Sequence, residues 1–170
     1  MSLNTHVSFV VALRSFGFAL ILTAIAFGHA YAAPAASNER ALLVPIDRLV
    51  LAIDAGSAGG IAAAYVAAPT IVDEFAPFHW SRDGAARQWF RDFSTVARSA
   101  SLTHIRVVRH APTYVSFAGP RAWLVIPTDY HYDAAGKPQT ESAAWTFVLL
   151  RERGSWRIEA STWAKTAGAA

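Results

Sequence analysis

The sequence predicts an α+β fold: a cone-shaped, curved antiparallel sheet packed on three helices near the start of the chain. Two observations carry this. Apolar residues recur at three- and four-residue spacing as far as Ala97, and from Ser101 onward the spacing changes to two. Helical patterns therefore come first and a meander of strands follows, an order that places helices on one face of an antiparallel sheet. A sheet curved over helices leaves a conical space between them, and such spaces hold ligands.

The first 32 residues read as a leader. Arg14 closes a weakly basic start, residues 15–27 (SFGFALILTAIAF) are almost continuously apolar, and His29-Ala30-Tyr31-Ala32 supplies an A-x-A site. This is the pattern of a secretory signal peptide cut after Ala32. The apolar run is shorter than the roughly 20 residues of a spanning helix. The expectation is an exported chain, periplasmic or secreted, with a signal peptide over 1–32, one domain over 33–170 and no membrane attachment after cleavage.

Composition excludes several classes of function. The chain carries 15 Lys and Arg against 12 Asp and Glu, and Arg14 falls in the leader, so the rest is near neutral. Charges of both signs are interspersed and no basic run alternates with aromatics, so nucleic acid is not an expected partner. The absence of cysteine excludes thiolate metal sites and cysteine nucleophiles. His79, His104, His110 and His131 are scattered without ligand spacing, so no metal is expected. No phosphate-cradling or dinucleotide glycine pattern follows the leader, so no cofactor is expected either. Ala55-Gly56-Ser57-Ala58-Gly59 comes nearest to a nucleophile elbow, but alanine stands at the first glycine and the stretch lies between two helices.

The elements follow in order. Residues 33–37 read as a linker, with Ser37 capping a helix from Asn38. Leu42, Ile46, Leu49 and Ile53 give this helix an apolar face, Pro45 marks a break in it, and Gly56 stops it. Ser57 caps a short second helix that buries Ile61, Ala64 and Tyr65 and ends at Pro69. A strand over 70–75 and a loop over 76–82 follow, and Asp83 caps a third helix with Ala86, Trp89, Phe90 and Phe93 on one face. Strands are predicted over 102–110, 113–117, 122–132, 140–151 and 156–165, with turns at Gly119-Pro120 and Gly154 and a hairpin loop over 133–138.

The stretch PTIVDEFAPFHW, residues 69–80, carries the chemistry. Its strand places Asp73 and Glu74 between apolar neighbours, and adjacent strand residues point to opposite faces. One acid then faces the core, where it needs a partner or a function. Asp73 reads either as a general base with a raised pKa or as a structural acid hydrogen-bonded to a backbone or paired with an arginine such as Arg106 or Arg109. Glu74 reads as a surface residue. His79, at the mouth, reads as a proton-shuttling partner of Asp73 or as a solvated loop residue.

The order of elements and two blocks of sequence resemble the SnoaL-like group of the nuclear transport factor 2-like superfamily, which includes ketosteroid isomerases and polyketide cyclases. The blocks are LVLAIDAGSAGGIAAAYVAAPTIVDEF (49–75) and TESAAWTFVLLRERGSWRIEASTWA (140–164). The resemblance implies the cone fold and matches the isomerase base to Asp73. It matches the two oxyanion donors, a tyrosine and a protonated aspartate, to Leu49 and Thr146, and a pocket aromatic to Trp163. The base position is kept and the donors are not. Losing one donor costs about a hundred- to a thousand-fold in rate, so an isomerase mechanism as such is disfavoured.

The expected function is an exported pocket protein that binds a small hydrophobic molecule without a cofactor; the alternative is an isomerase- or cyclase-type enzyme with Asp73 as base. The expected pocket residues are Leu49, Tyr65, Trp80, Trp89, Tyr130, Thr146 and Trp163. Tyr130 or Tyr132 supplies a phenol donor or lines a dimer face. With Thr146 inside, Trp145 and Phe147 point outward, and an apolar outer face predicts a homodimer formed sheet to sheet.

Overall fold

The computed structural model describes residues 32–166. The leader expected over 1–32 lies outside the described residues, Ala32 excepted. No described helix is long and apolar enough to cross a membrane.

Three helices and seven strands follow in the order α1 (Ala32–Asp54), α2 (Ala58–Ala64), β1 (Tyr65–Val72), β2 (His79–Trp80), α3 (Ala85–Ser99), β3 (Thr103–Arg109), β4 (Tyr114–Ala118), β5 (Arg121–Ala134), β6 (Lys137–Glu152) and β7 (Ser155–Lys165). The strands form one sheet in the order β2-β1-β7-β6-β5-β3, with β4 also pairing with β5. Every pairing is antiparallel except that of β1 with β7, which is parallel. The α+β cone is the predicted one, and the sheet is mixed at this one seam. The helices arrive before the closing strand, so β1 meets the end of the chain running in the same direction.

Helix α1 differs from expectation at both predicted landmarks. It begins at Ala32, so residues 33–37 are helix and not linker, and it runs through Pro45 without a break. Proline removes one helical hydrogen bond, to the carbonyl four residues back. That carbonyl belongs to Ala41, on the exposed side of the helix, where water can take it. Ser57 caps α2 as predicted: its hydroxyl accepts from the Gly60 amide at 3.1 Å.

Pro69 does not end α2. It lies inside β1, buried, where the register against β7 shifts between Tyr65 and Thr70. Such an irregularity is where a strand tolerates a residue without an amide donor. Asp83 does not cap α3; Gly84, with φ of 76°, stands there without a side-chain bond. The hairpin loop over 133–138 shrinks to Ala135-Gly136, both at positive φ, so β5 and β6 run longer than predicted.

The core fills the space between the helices and the inner face of the sheet. Leu42, Ile46 and Leu49 of α1 belong to one buried cluster with Leu124 and Ile126 of β5 and Phe147 and Leu149 of β6. Asp54 ties the end of α1 to the sheet by accepting from the Val107 amide at 2.9 Å. Arg109 pairs with Asp47 and is thereby removed as a partner for Asp73.

The phase of β6 is the opposite of the expected one. Trp145 pairs with Ile126 and Phe147 with Leu124 across the sheet. Cross-strand partners share a face, so both aromatic rings are inside, and Thr146 is on the outer face opposite Val125. Burying two aromatic rings outweighs placing one threonine inside, and a slip of one residue reverses every side chain. The expected dimer therefore loses the two rings it rested on. The outer face exposes Tyr114 and Trp123 instead, packed together with ring centroids 5.0 Å apart.

Candidate functional site

The site forms where β1 leaves the sheet. Ile71 is the last buried residue of that strand, and the loop after Val72 is closed by hydrogen bonds from the Asp73 amide to the Phe78 carbonyl (3.2 Å) and from the Phe78 amide to the Phe75 carbonyl (2.8 Å). The loop delivers Asp73, Glu74 and Phe75 to one end of the core. Facing them are Trp89 and Phe93 of α3, Tyr130 of β5, Glu141 and Trp145 of β6, and Trp163 of β7.

The aromatic rings form a continuous arc. Trp89 stacks on Phe93 with centroids 5.9 Å apart, and Phe93 meets Tyr130 edge to face at 6.1 Å. Tyr130 meets Trp163 at 6.4 Å, and Trp163 meets Trp145 at 5.2 Å, again edge to face. The cavity left beside this arc has a volume of about 70 Å³. Pockets for drug-sized ligands run to roughly 300–1,000 Å³, so this one suits a compact group.

Asp73 sits at the wall of the cavity. One carboxylate oxygen accepts from the Trp89 indole at 2.8 Å, and the other from the Glu74 amide at 2.8 Å. Burial pushes its pKa up; these two hydrogen bonds oppose the shift without cancelling it, and the charge of Glu141 adds to it. Among the described residues no arginine or lysine pairs with Asp73.

Glu141 is buried and reaches the cavity from β6. Its carboxylate accepts from the Trp163 indole at 3.0 Å and from the Lys165 ammonium at 2.6 Å. Burial opposes its ionisation, but the bonds from Lys165, Trp163 and Glu74 outweigh burial and hold it below the usual carboxylate range. Glu74 sits at the mouth with the opposite behaviour. Loss of water around its carboxyl, then a hydrogen bond to Glu141 and that residue's charge, push its pKa up to about 7.

The Tyr130 hydroxyl is buried and has no hydrogen-bond partner among the described residues. Burial, then the neighbouring Tyr132, Glu141 and Asp73, hold its pKa above the ordinary phenol value, so it stays a neutral donor. A buried polar group without a partner costs about 1–3 kcal/mol. Beside an open cavity, that group marks where a ligand's polar atom would go.

Of the residues singled out in the sequence, Asp73, Trp89, Tyr130 and Trp163 come together at the cavity. Leu49, Tyr65 and Trp80 do not line it. Leu49 is fully buried in the core, Tyr65 is buried with its hydroxyl 2.9 Å from Ser161 Oγ, and the Trp80 indole donates to Asp92 at 2.8 Å. Thr146 is on the far side of the sheet. His79 is exposed on β2 and forms no pair with Asp73, whose carboxylate accepts from the Trp89 indole and the Glu74 amide instead. Glu74, Phe75, Phe93, Trp145 and Glu141 were missed. The signal for Glu141 was its two- and four-residue spacing from Ala143 and Trp145, which share its face once the phase of β6 is right.

Among the described residues no three potential metal ligands converge. No protein-family model matches this sequence, and no curated protein does. Solved structures do match. A nuclear transport factor 2-like superfamily protein from Salmonella enterica is 13% identical with a TM-score of 0.64, over 80% of this chain and 96% of that one. A nuclear transport factor 2-like protein with a cystatin-like fold from Novosphingobium aromaticivorans is 16% identical with a TM-score of 0.63, over 81% and 88%. A ketosteroid isomerase-like protein from Erwinia carotovora is 10% identical with a TM-score of 0.60, over 77% and 98%. At such identities the likeness is one of architecture: this chain has the nuclear transport factor 2-like fold.

Proposed function

We propose that this chain is a pocket protein that binds a compact, largely hydrophobic molecule carrying one polar group, in the cavity beside Tyr130. The observation that carries the reading is the buried Tyr130 hydroxyl, left without a partner against an aromatic wall. The ligand's hydrocarbon packs on the arc of rings and its polar atom completes the phenol's hydrogen bond. The apolar run and A-x-A site of residues 1–32 support export, which puts the ligand outside the cytoplasm. A thermal-shift and calorimetric screen of small ketones, alcohols and amines tests this. The expected result is saturable binding that Tyr130→Phe weakens by about ten-fold, the equivalent of one hydrogen bond. Absence of binding by every compound class would remove the reading.

A second reading rests on Asp73. Its carboxyl is raised by burial, has no cationic partner, and is oriented by the Trp89 indole, which are the properties of a general base. Tyr130 is then the single donor to a developing oxyanion, entering from β5 where isomerases of the resembling group use the first helix. With one donor in place of two, such activity is expected to be about a hundred-fold or more below that of a full oxyanion hole. Proton–deuterium exchange at the α-carbon of a bound ketone, lost in Asp73→Asn while binding persists, is the expected sign. Equal exchange in both proteins would end this second reading.

A further inference from the structure

We propose that the ligand is an organic cation, a protonated amine or a quaternary ammonium that also carries a neutral acceptor such as a hydroxyl for Tyr130, held between the aromatic arc and the carboxyl groups of Asp73, Glu74 and Glu141. The inference rests on the reading of the cavity as a ligand site and adds the charge of what enters it.

The charges at the cavity do not balance. Three carboxyl groups line it, and no arginine or lysine does. The nearest cation, Lys165, bonds Glu141 with its side chain more than half exposed. It offsets one of the three acids. Asp73 has only neutral donors, the Trp89 indole and the Glu74 amide. A carboxylate in apolar surroundings without a counter-ion is costly, and a ligand cation would remove that cost.

The walls point the same way. Trp89, Phe93, Tyr130, Trp163 and Trp145 follow one another along the arc at ring separations of 5.2–6.4 Å. Aromatic faces attract ammonium groups, tryptophan most strongly, and three tryptophans line this cavity. A carboxylate or phosphate ligand would meet like charge here. A neutral carbonyl would find one free donor, Tyr130, among several acceptors. The volume of about 70 Å³ accommodates a compact head group, with any longer part of the ligand leaving by the mouth at Glu74.

Protons then couple to binding. The groups that act on Glu74 are Asp73 beside it, Glu141 on β6 and Lys165 on β7. Tyr130 and Tyr132 of β5 lie near the same cluster. Burial and the neighbouring acids raise the pKa of Glu74 to about 7; a cation in the cavity opposes that rise, so affinity increases with pH.

The test is titration of indole fluorescence in the full chain with choline and with dimethylbutanol, its uncharged carbon isostere. Choline is expected to bind at least about ten-fold more tightly than the isostere. Glu74→Gln is expected to weaken choline about five-fold at pH about 8 and the isostere less; an equal loss for both overturns the cation. Equal or tighter binding of dimethylbutanol overturns the cation and leaves the cavity reading standing. Binding of neither, with no other compound bound, overturns both.

Discussion

Tyr65 and Tyr130 face the same interior and are in opposite condition. Tyr65, where α2 gives way to β1, is buried with its hydroxyl 2.9 Å from Ser161 Oγ. Tyr130, toward the other end of the sheet, lines the cavity and has a buried hydroxyl with no partner among the described residues. Burial raises the pKa of both phenols, so that property does not separate them. What separates them is completion. At the Tyr65 end the buried hydroxyl is answered by Ser161. At the Tyr130 end one hydroxyl has no partner among the described residues, and the proposed ligand site rests on it.

If this contrast holds, truncation at the two ends has different consequences. The largest effect is expected at the closed end. Leu49→Ala leaves a hole in a filled core and should cost about 2–5 kcal/mol in urea unfolding. Phe75→Ala at the half-buried rim should cost about 1 kcal/mol, since the space beside it is already open. Comparable losses at both positions would mean that the open end is packed like the closed one.

Tyr65→Phe comes next. It strands the Ser161 hydroxyl in the interior and should cost about 1–2 kcal/mol by the same measurement.

A smaller effect comes from pH. The folded-state pKa of Glu74 is about 7, above its ordinary 4.5, so the folded chain binds more protons than the unfolded one between those values. Stability contributed by this group is complete below about 4.5 and is lost as pH rises through about 7. Glu74 is largely exposed, so solvent screening keeps the loss under about 1 kcal/mol. The midpoint of urea unfolding should fall slightly between about pH 5 and about pH 8, and Glu74→Gln should flatten that slope. Glu141 works in the opposite direction, its contribution lost only as pH falls below the usual carboxylate range.

The smallest effect is expected at Thr146. On the outer face it has only a long 3.5 Å bond to the Thr162 carbonyl, and Thr146→Ala should change stability by less than about 0.5 kcal/mol. A pocket position would lose more, and would lose ligand with it.

Much of this was legible in the chain and part of it was not, for identifiable reasons. The change of apolar spacing at Ser101 gave the α+β order, because periods of 3.6 and 2 leave different marks. Asp73 was legible because an acid next to the β-branched run Thr70-Ile71-Val72 is unusual. The phase of β6 was not legible. Ala144-Trp145-Thr146-Phe147-Val148 is apolar on both faces, so alternation alone does not say which is inside. The pairing of Trp145 with Ile126 decides it. Glu141 was lost with that phase. His79 and Trp80 are close to Asp73 in sequence, but only the fold shows that β2 turns His79 to solvent and that the Trp80 indole goes to Asp92.

The most direct test of the account is Tyr130→Phe, measured twice, for unfolding free energy without ligand and for the affinity of a compound that binds the wild type. Removing a hydroxyl that bonds nothing should leave stability unchanged or raise it by up to about 1 kcal/mol, while affinity falls about ten-fold. A loss of stability above about 1 kcal/mol with affinity unchanged would show that the Tyr130 hydroxyl serves the fold and not a ligand.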